Sequence, residues 1–173
     1  EIIGYAQPDL TGGFTTNFLY RNFELSVNTN FVLGNDIFNV SRVELELPNG
    51  FQNNSTAVLD RWTAQNPDDP DRIIPKPTAE RGIIFDDRFL EDGSYFRFQD
   101  IRLTYNLPVG LIDGLNLKMM RVFISGNNLI TLTNYSGYDP EANVFVQDNL
   151  SQGIDFGVFR TAKTYRAGLE IQF

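Results

Sequence analysis

Acidic side chains gather at two places where they could hold a cation or act on a glycosidic bond. Asp68, Asp69, Asp71, Asp86, Asp87, Glu91 and Asp92 lie in one Asn-, Asp- and Pro-rich stretch. Carboxylate oxygens in such numbers suit a hard cation, but their spacing matches no EF-hand loop, and a solvated acidic loop is the plainer reading. Asp139 and Glu141 offer the two carboxylates that glycoside hydrolysis uses. They stand in the run GYDPE, where Asp before Pro favours a turn instead. Trp62, Tyr135 and Tyr138 carry flat aromatic faces that can stack on a sugar ring or simply pack loops together. These three and Asp139 are the candidates for contact with a substrate or partner.

What the chain lacks narrows the chemistry further. It has no histidine, and so no ordinary general base near neutral pH, no Ser-His-Asp triad and not the commonest metal ligand. It has no cysteine, and so no disulfide, thiolate nucleophile or Cys-based metal site. No nucleophile, base and orienting group come together, so the chain reads as non-enzymatic, with no catalytic residue, metal site or cofactor assigned. Fourteen Lys and Arg against 22 Asp and Glu leave a net charge of -8, which argues against nucleic acid as a partner. No apolar run approaches the ~18 residues of a spanning helix. No basic-then-apolar signal segment opens the chain. Glu1 stands where an initiator Met would, so a processed or partial product is expected. The 173 residues suffice for one ordinary domain with a sizeable core.

The elements that position these residues are strands. In KTYRAGLEIQF, Lys163–Phe173, Tyr165, Ala167, Leu169, Ile171 and Phe173 fall on one face at period two, and Thr164, Arg166, Gly168, Glu170 and Gln172 on the other. A soluble sheet over a core and a membrane barrel between lipid and lumen both produce this alternation. The strand at 13–22 repeats it, with Phe14, Thr16, Phe18 and Tyr20 on one side. After a tight turn at 20–23, the strand at 23–34 sets Phe23, Leu25, Val27, Thr29, Phe31 and Leu33 against Glu24, Ser26, Asn28 and Asn30. Its length is close to the ~9–11 residues that cross a bilayer at a tilt, and about twice that of a common soluble strand.

A third strand, at 95–107, places Ile101, Leu103, Tyr105 and Leu107 together, while Phe96 and Phe98 are out of step by one. A bulge near Gln99–Asp100 accounts for the slip. A fourth, at 117–130, opposes Val122, Ile124 and Gly126 to Arg121, Phe123, Ser125 and Asn127, with an ambiguous facing at Met119–Met120. Asn127 and Asn128 can form a polar ladder on the wall. Residues 35–94 and 131–162 are long polar loops, the first with a short helix expected across Ser55–Gln65 under a Ser55 cap. Antiparallel strands put alternate connections on opposite sides, so both short turns share one side and both long loops the other. Outer-membrane barrels have short periplasmic turns, long extracellular loops and aromatic girdles, which 15 Phe and 7 Tyr would suit. The fold class expected from this is all-β and antiparallel, a transmembrane barrel segment.

DRFLEDGSYFRFQDIRLTYNLP (Asp87–Pro108), MRVFISGNNLITLTNYSGYDPE (Met120–Glu141) and the terminal KTYRAGLEIQF resemble the carboxy-terminal part of SusC/RagA-type TonB-dependent transporters. PDLTGGFTTNFLYRNFELSVNTNFVLGNDIFN (Pro8–Asn39) is similar to the segment before it in that family. The resemblance covers all but the variable part of the 35–94 loop. It implies that residues 1–173 are the C-terminal segment of a large, roughly 22-stranded barrel with an amino-terminal plug. It implies a multi-pass place in the outer membrane of a Gram-negative bacterium, in contact with its lipid. The function implied is import of glycan or peptide oligomers, with a SusD-like surface lipoprotein as partner and energy delivered through the TonB complex. Five strands cannot close a barrel and leave two edges, which hydrocarbon does not tolerate. The remaining plug and barrel portion of the same transporter is therefore an expected partner. Two other readings stand beside this one. A soluble β-sandwich binding or adhesin module needs the apolar faces buried under a second sheet, and a β-rich glycoside hydrolase fragment needs Asp139 and Glu141, or the Asp86–Asp92 cluster, at work.

Overall fold

The computed structural model describes residues 2–46, 53–65, 74, 86–115, 117–144 and 152–173. In chain order the elements are β1 (Leu10–Tyr20), β2 (Phe23–Leu33), β3 (Asp36–Asn39), α1 (Val40–Glu46), a 3-10 turn at Thr56–Asp60, a second at Asp87–Phe89, β4 (Leu90–Asp92), β5 (Tyr95–Asn106), α2 (Val109–Ile112), β6 (Met119–Thr133), β7 (Ile154–Asp155) and β8 (Thr164–Gln172). They divide between two compact units. One holds the long strands (Pro8–Gly34, Gly93–Asn134, Arg160–Phe173); the other holds the residues up to Gln7, Asn35–Asp92 and Tyr135–Phe159.

In the first unit β1-β2-β5-β6-β8 form one antiparallel sheet in that order. The first strand begins at Leu10, before the expected position 13, because Leu10, Thr11 and Gly12 pair with Leu33, Val32 and Phe31. The two-residue turn after it holds Arg21 at a φ of 52°, and Asn22 exchanges hydrogen bonds with Asn106 across the sheet. The slip at Gln99 is a real bulge: Asn28 faces Asp100 while Thr29 faces Phe98. On the other side, Asp100 faces Asn127 and Phe98 faces Ile130, so β6 carries a further extra residue, and Asn128 adopts a φ of 53°. These bulges keep the main apolar rows in phase on one face although the alternation breaks in two strands. They also let β6 run to Thr133, past the expected 130. Between β5 and β6 the short connection coils into α2 and a 3-10 turn at Asp113–Leu115.

The second unit is built largely from the two stretches expected as long polar loops, the first of them with a short helix. Its small sheet has the order β4-β3-β7, with β3 antiparallel to β4 and parallel to β7. Phe38, Val43 and Phe89 make its buried cluster, with Val40 and Leu90 against them. The helix expected across Ser55–Gln65 is a single 3-10 turn, Thr56–Asp60, and Ser55 Oγ does accept a hydrogen bond from the Ala57 N–H.

Candidate functional site

The sheet brings together two opposed surfaces. Cross-strand rows place Phe18, Leu25, Leu103, Ile124 and Ala167 side by side, and Tyr20, Phe23, Tyr105, Val122 and Leu169 in the next row. Beyond the bulges the same face continues through Phe31, Phe96 and Leu132. Met120 joins it opposite Ile171, which resolves the ambiguity at Met119–Met120. Aromatic pairs lie along it, with Phe23 on Tyr105 at 4.7 Å and Phe96 on Phe98 at 5.3 Å between ring centroids. The one polar residue in the β2 row, Thr29, is buried and donates its hydroxyl to the Phe14 carbonyl, so it exposes no unpaired oxygen. Yet Phe18, Ile124 and Leu132 are 57–59% exposed. A sandwich would bury them. Eleven residues at ~3.4 Å each reach ~37 Å, and a tilt of ~45° brings that to ~26 Å, close to the ~25 Å apolar band of an outer-membrane barrel.

The opposite surface is polar and internally paired. Glu170 accepts from Arg102 at 2.7 Å and lies 3.3 Å from the Arg121 guanidinium. Arg102 also stacks over Phe123, 3.9 Å from its centroid, and Phe123 in turn covers Gly168, where a Cβ would meet the ring at 2.5 Å. Asn127 donates to Asp100 and accepts from Thr164, so the expected ladder exists through Asn127. Asn128 sits at the bulge and donates to the Ala162 carbonyl instead. Such pairs contribute ~0–1 kcal/mol each when solvated. Their chief effect is to keep the wall's polar groups satisfied.

The ends of the sheet differ as well. The pair Leu10–Leu33 and the row Val32, Tyr95 and Thr133 lie at one end, and the long connections 34–94 and 134–163 both leave from there. The other end carries the two short connections. β1 and β8 are the sheet's outer strands and do not pair with each other.

The second unit holds the sequence candidates. Tyr135 is buried and donates its hydroxyl to Asp155 at 2.6 Å. Burial, and then that carboxylate, push its phenol above the ordinary range. Its ring therefore serves the interior. Asp139 is buried as well. Its carboxylate accepts from the Glu141 N–H and its carbonyl from the Ala142 N–H, so it caps a turn, and Glu141 is exposed just beyond. Tyr138 is 74% exposed, and Trp62 is half-buried beside the Arg61–Ile74 bridge. Tyr138 is thus the freest of the three aromatic faces. Of the acidic stretch, Asp68, Asp69 and Asp71 lie outside the described residues. Asp86 is held by the Arg88 guanidinium, which lowers its carboxyl to about 2.

Glu91, singled out only as one acid among several, is the hub of this unit. It accepts from the Ser136 N–H and hydroxyl at 2.8 Å each, from Arg42 at 2.9 Å and from Asn39 at 3.1 Å. Burial pushes its carboxyl up, and these hydrogen bonds more than offset that, leaving it below its ordinary value. Arg42 is held protonated by Glu46 and Glu91. Phe38 and Asn39 pair with Ile154 and Asp155, and the Gly157 N–H donates to Ser41 Oγ at 2.7 Å. The two long connections are thus joined into one folded lobe. Among the described residues no group of three or more acidic side chains is placed to hold a metal ion.

No family profile matches the chain. Over its whole length it is similar to the TonB-dependent receptor P3 of Formosa agariphila, with 32% identity, and spans 17% of that protein. The TonB-dependent receptor SusC of Bacteroides thetaiotaomicron is 25% identical over 98% of the chain, which spans 16% of it. A solved structure of the RagAB peptide transporter superposes with a TM-score of 0.83 and 28% identity, covering 99% of this chain and 18% of that one.

Proposed function

We propose that this chain, a segment related to SusC-type TonB-dependent receptors, forms part of the wall and outer loops of an outer-membrane importer of bulky nutrients. The observation that carries this reading is the exposed apolar face running across all five long strands, backed by a paired polar face. Lipid would cover the first and a solvated or plug-filled lumen would meet the second. The unpaired strands β1 and β8 would be completed by the rest of the same barrel, whose plug would carry the contact with TonB. The lobe built from the long connections would stand outside the cell, where a SusD-like lipoprotein and an oligopeptide or oligosaccharide substrate would reach Trp62, Tyr138 and their surroundings. Likeness to RagAB, named for peptide transport, supports oligopeptide as one of these two substrate classes. The relatives are named as receptors and transporters, Asp139 caps its own turn, and Asp86 and Glu91 are engaged by Arg88 and Ser136, which supports a non-enzymatic reading.

The chain has no cysteine, so single thiols report its orientation. In the full transporter on intact cells, Tyr138→Cys should react with a membrane-impermeant maleimide, and Asp113→Cys, at the short-connection end, should react only after the outer membrane is opened. The reverse pattern refutes the orientation. Ready extraction of the protein without detergent refutes the barrel wall itself.

A further inference from the structure

The apolar face is not evenly filled. Where β5, β6 and β8 run together it sinks into a groove of about 560 Å³, lined by Leu103, Ile124, Leu129, Tyr165 and Ala167 with Gly126 among them. That lies within the ~300–1,000 Å³ of clefts that hold small ligands. The concavity has a simple cause. Ala167 contributes almost no side chain between the bulkier Leu103, Ile124 and Tyr165, and Gly126 is covered by Leu129, whereas Phe14, Phe96 and Phe98 fill the face elsewhere with tilted and edge-on rings. The groove also reaches the long-connection end of β8, since Tyr165 is that strand's second residue. Two exposed cations, Arg160 and Lys163, precede the strand there.

We propose that this groove holds one acyl chain of an anionic lipid of the outer leaflet, with the lipid phosphate against Arg160 and Lys163. An apolar slot that is open on the lipid side offers a methylene chain more contact than a flat wall does, and the exposed cations that precede β8 would favour a negative headgroup. This rests on the reading of the apolar face as lipid-facing and of the long-connection end as outward.

The test uses the full transporter carrying this segment, in phosphatidylcholine nanodiscs that contain a trace of phosphatidylglycerol bearing an acyl-chain diazirine. After photolysis, peptides containing Gly126 and Tyr165 should be labelled at least five-fold above the β1 peptide containing Phe18. Ala167→Phe, which fills the slot, should abolish that excess while the folded barrel keeps its heat-modifiable migration. Leu129→Ala, which enlarges the slot, should raise the labelling and serves if Ala167→Phe fails to fold. Arg160→Ser with Lys163→Ser should remove the excess for the phosphatidylglycerol probe and leave a phosphatidylcholine probe unchanged. Equal labelling of β1 and β8 would show ordinary boundary lipid and overturn the proposal. So would a labelled β1 beside an unlabelled groove, the result expected if a neighbouring wall strand covers it. An apolar face unlabelled throughout would refute the membrane wall as well.

Discussion

A single charge at mid-strand tests the assignment of the two faces most directly. Val27 and Asn28 are adjacent, near the centre of the eleven-residue β2, and point to opposite sides. Val27 lies between Thr16 and Ile101 on the apolar face, and Asn28 between Thr15 and Asp100 on the polar one. An arginine near mid-bilayer costs roughly 2–4 kcal/mol on the lipid face. At ~1.4 kcal/mol per tenfold, Val27→Arg should therefore lower the folded-to-unfolded ratio by roughly 30- to 700-fold. Leu25→Arg should cost less, because two residues at ~3.4 Å and a ~45° tilt bring it ~5 Å nearer the short-turn interface. Asn28→Arg would instead face Asp100, an opposite-charge cross-strand pair worth roughly 0.2–1 kcal/mol in its favour. Urea unfolding of the full transporter in lipid vesicles, followed by heat-modifiable migration, should order the midpoints as Asn28→Arg, Leu25→Arg, Val27→Arg, from most to least stable. Equal losses at Val27 and Asn28 would refute the facing, and a soluble β-sheet domain with Val27 at its solvent surface would tolerate both.

Two further outcomes follow from the geometry. Gly168→Ala should destabilise the wall by ~1–3 kcal/mol, since the new Cβ would meet the Phe123 ring at 2.5 Å, under the Arg102 stack. Gly110→Ala, with open space around it, should have no such cost, and equal thermal midpoints for the two variants would contradict the packing. Glu91 links stability of the loop lobe to pH. Its folded carboxyl lies below its ordinary 4.5, so its contribution is complete above that value and is lost as pH falls through the lower folded value. Amide protection factors around Phe38 and Tyr135, with the intrinsic pH dependence of exchange divided out, should hold down to pH ~4.5 and then fall on further acidification. Glu91→Gln should flatten that acid-side response, and a lobe that tightens as pH falls would reverse the reasoning.

Tyr135 and Asp139 illustrate how far sequence patterns reach in the loops. Both sit where an aromatic ring and a carboxylate suggest a binding surface, and the fold turns both inward, one onto Asp155 and the other onto its own turn. The Asp139 cap was legible, because an Asp-Pro turn is a property of neighbouring residues. The Tyr135–Asp155 bond was not, and neither was the hub at Glu91, whose partners Arg42 and Ser136 are 49 and 45 positions away. The only trace in the sequence was an acidic residue with no assigned neighbour.

Strand faces belong to the other class. Side chains alternate along an extended chain whatever surrounds it, so Phe23–Leu33 and Lys163–Phe173 displayed an apolar and a polar face before any fold was known. The break at Gln99 was equally visible, because an insertion shifts the phase of a period-two pattern locally. What the alternation could not decide was what lies against the apolar face, since a core-facing sheet and a lipid-facing wall obey the same period. The tertiary structure narrowed it, by pairing five strands in one sheet and leaving Phe18, Ile124, Leu132 and their neighbours uncovered by any described part of the chain. It also decided how the two long polar loops close together into a lobe, through the parallel pairing of β3 with β7. That pairing joins Phe38 to Ile154, and a contact between positions so far apart leaves no periodic mark in either segment.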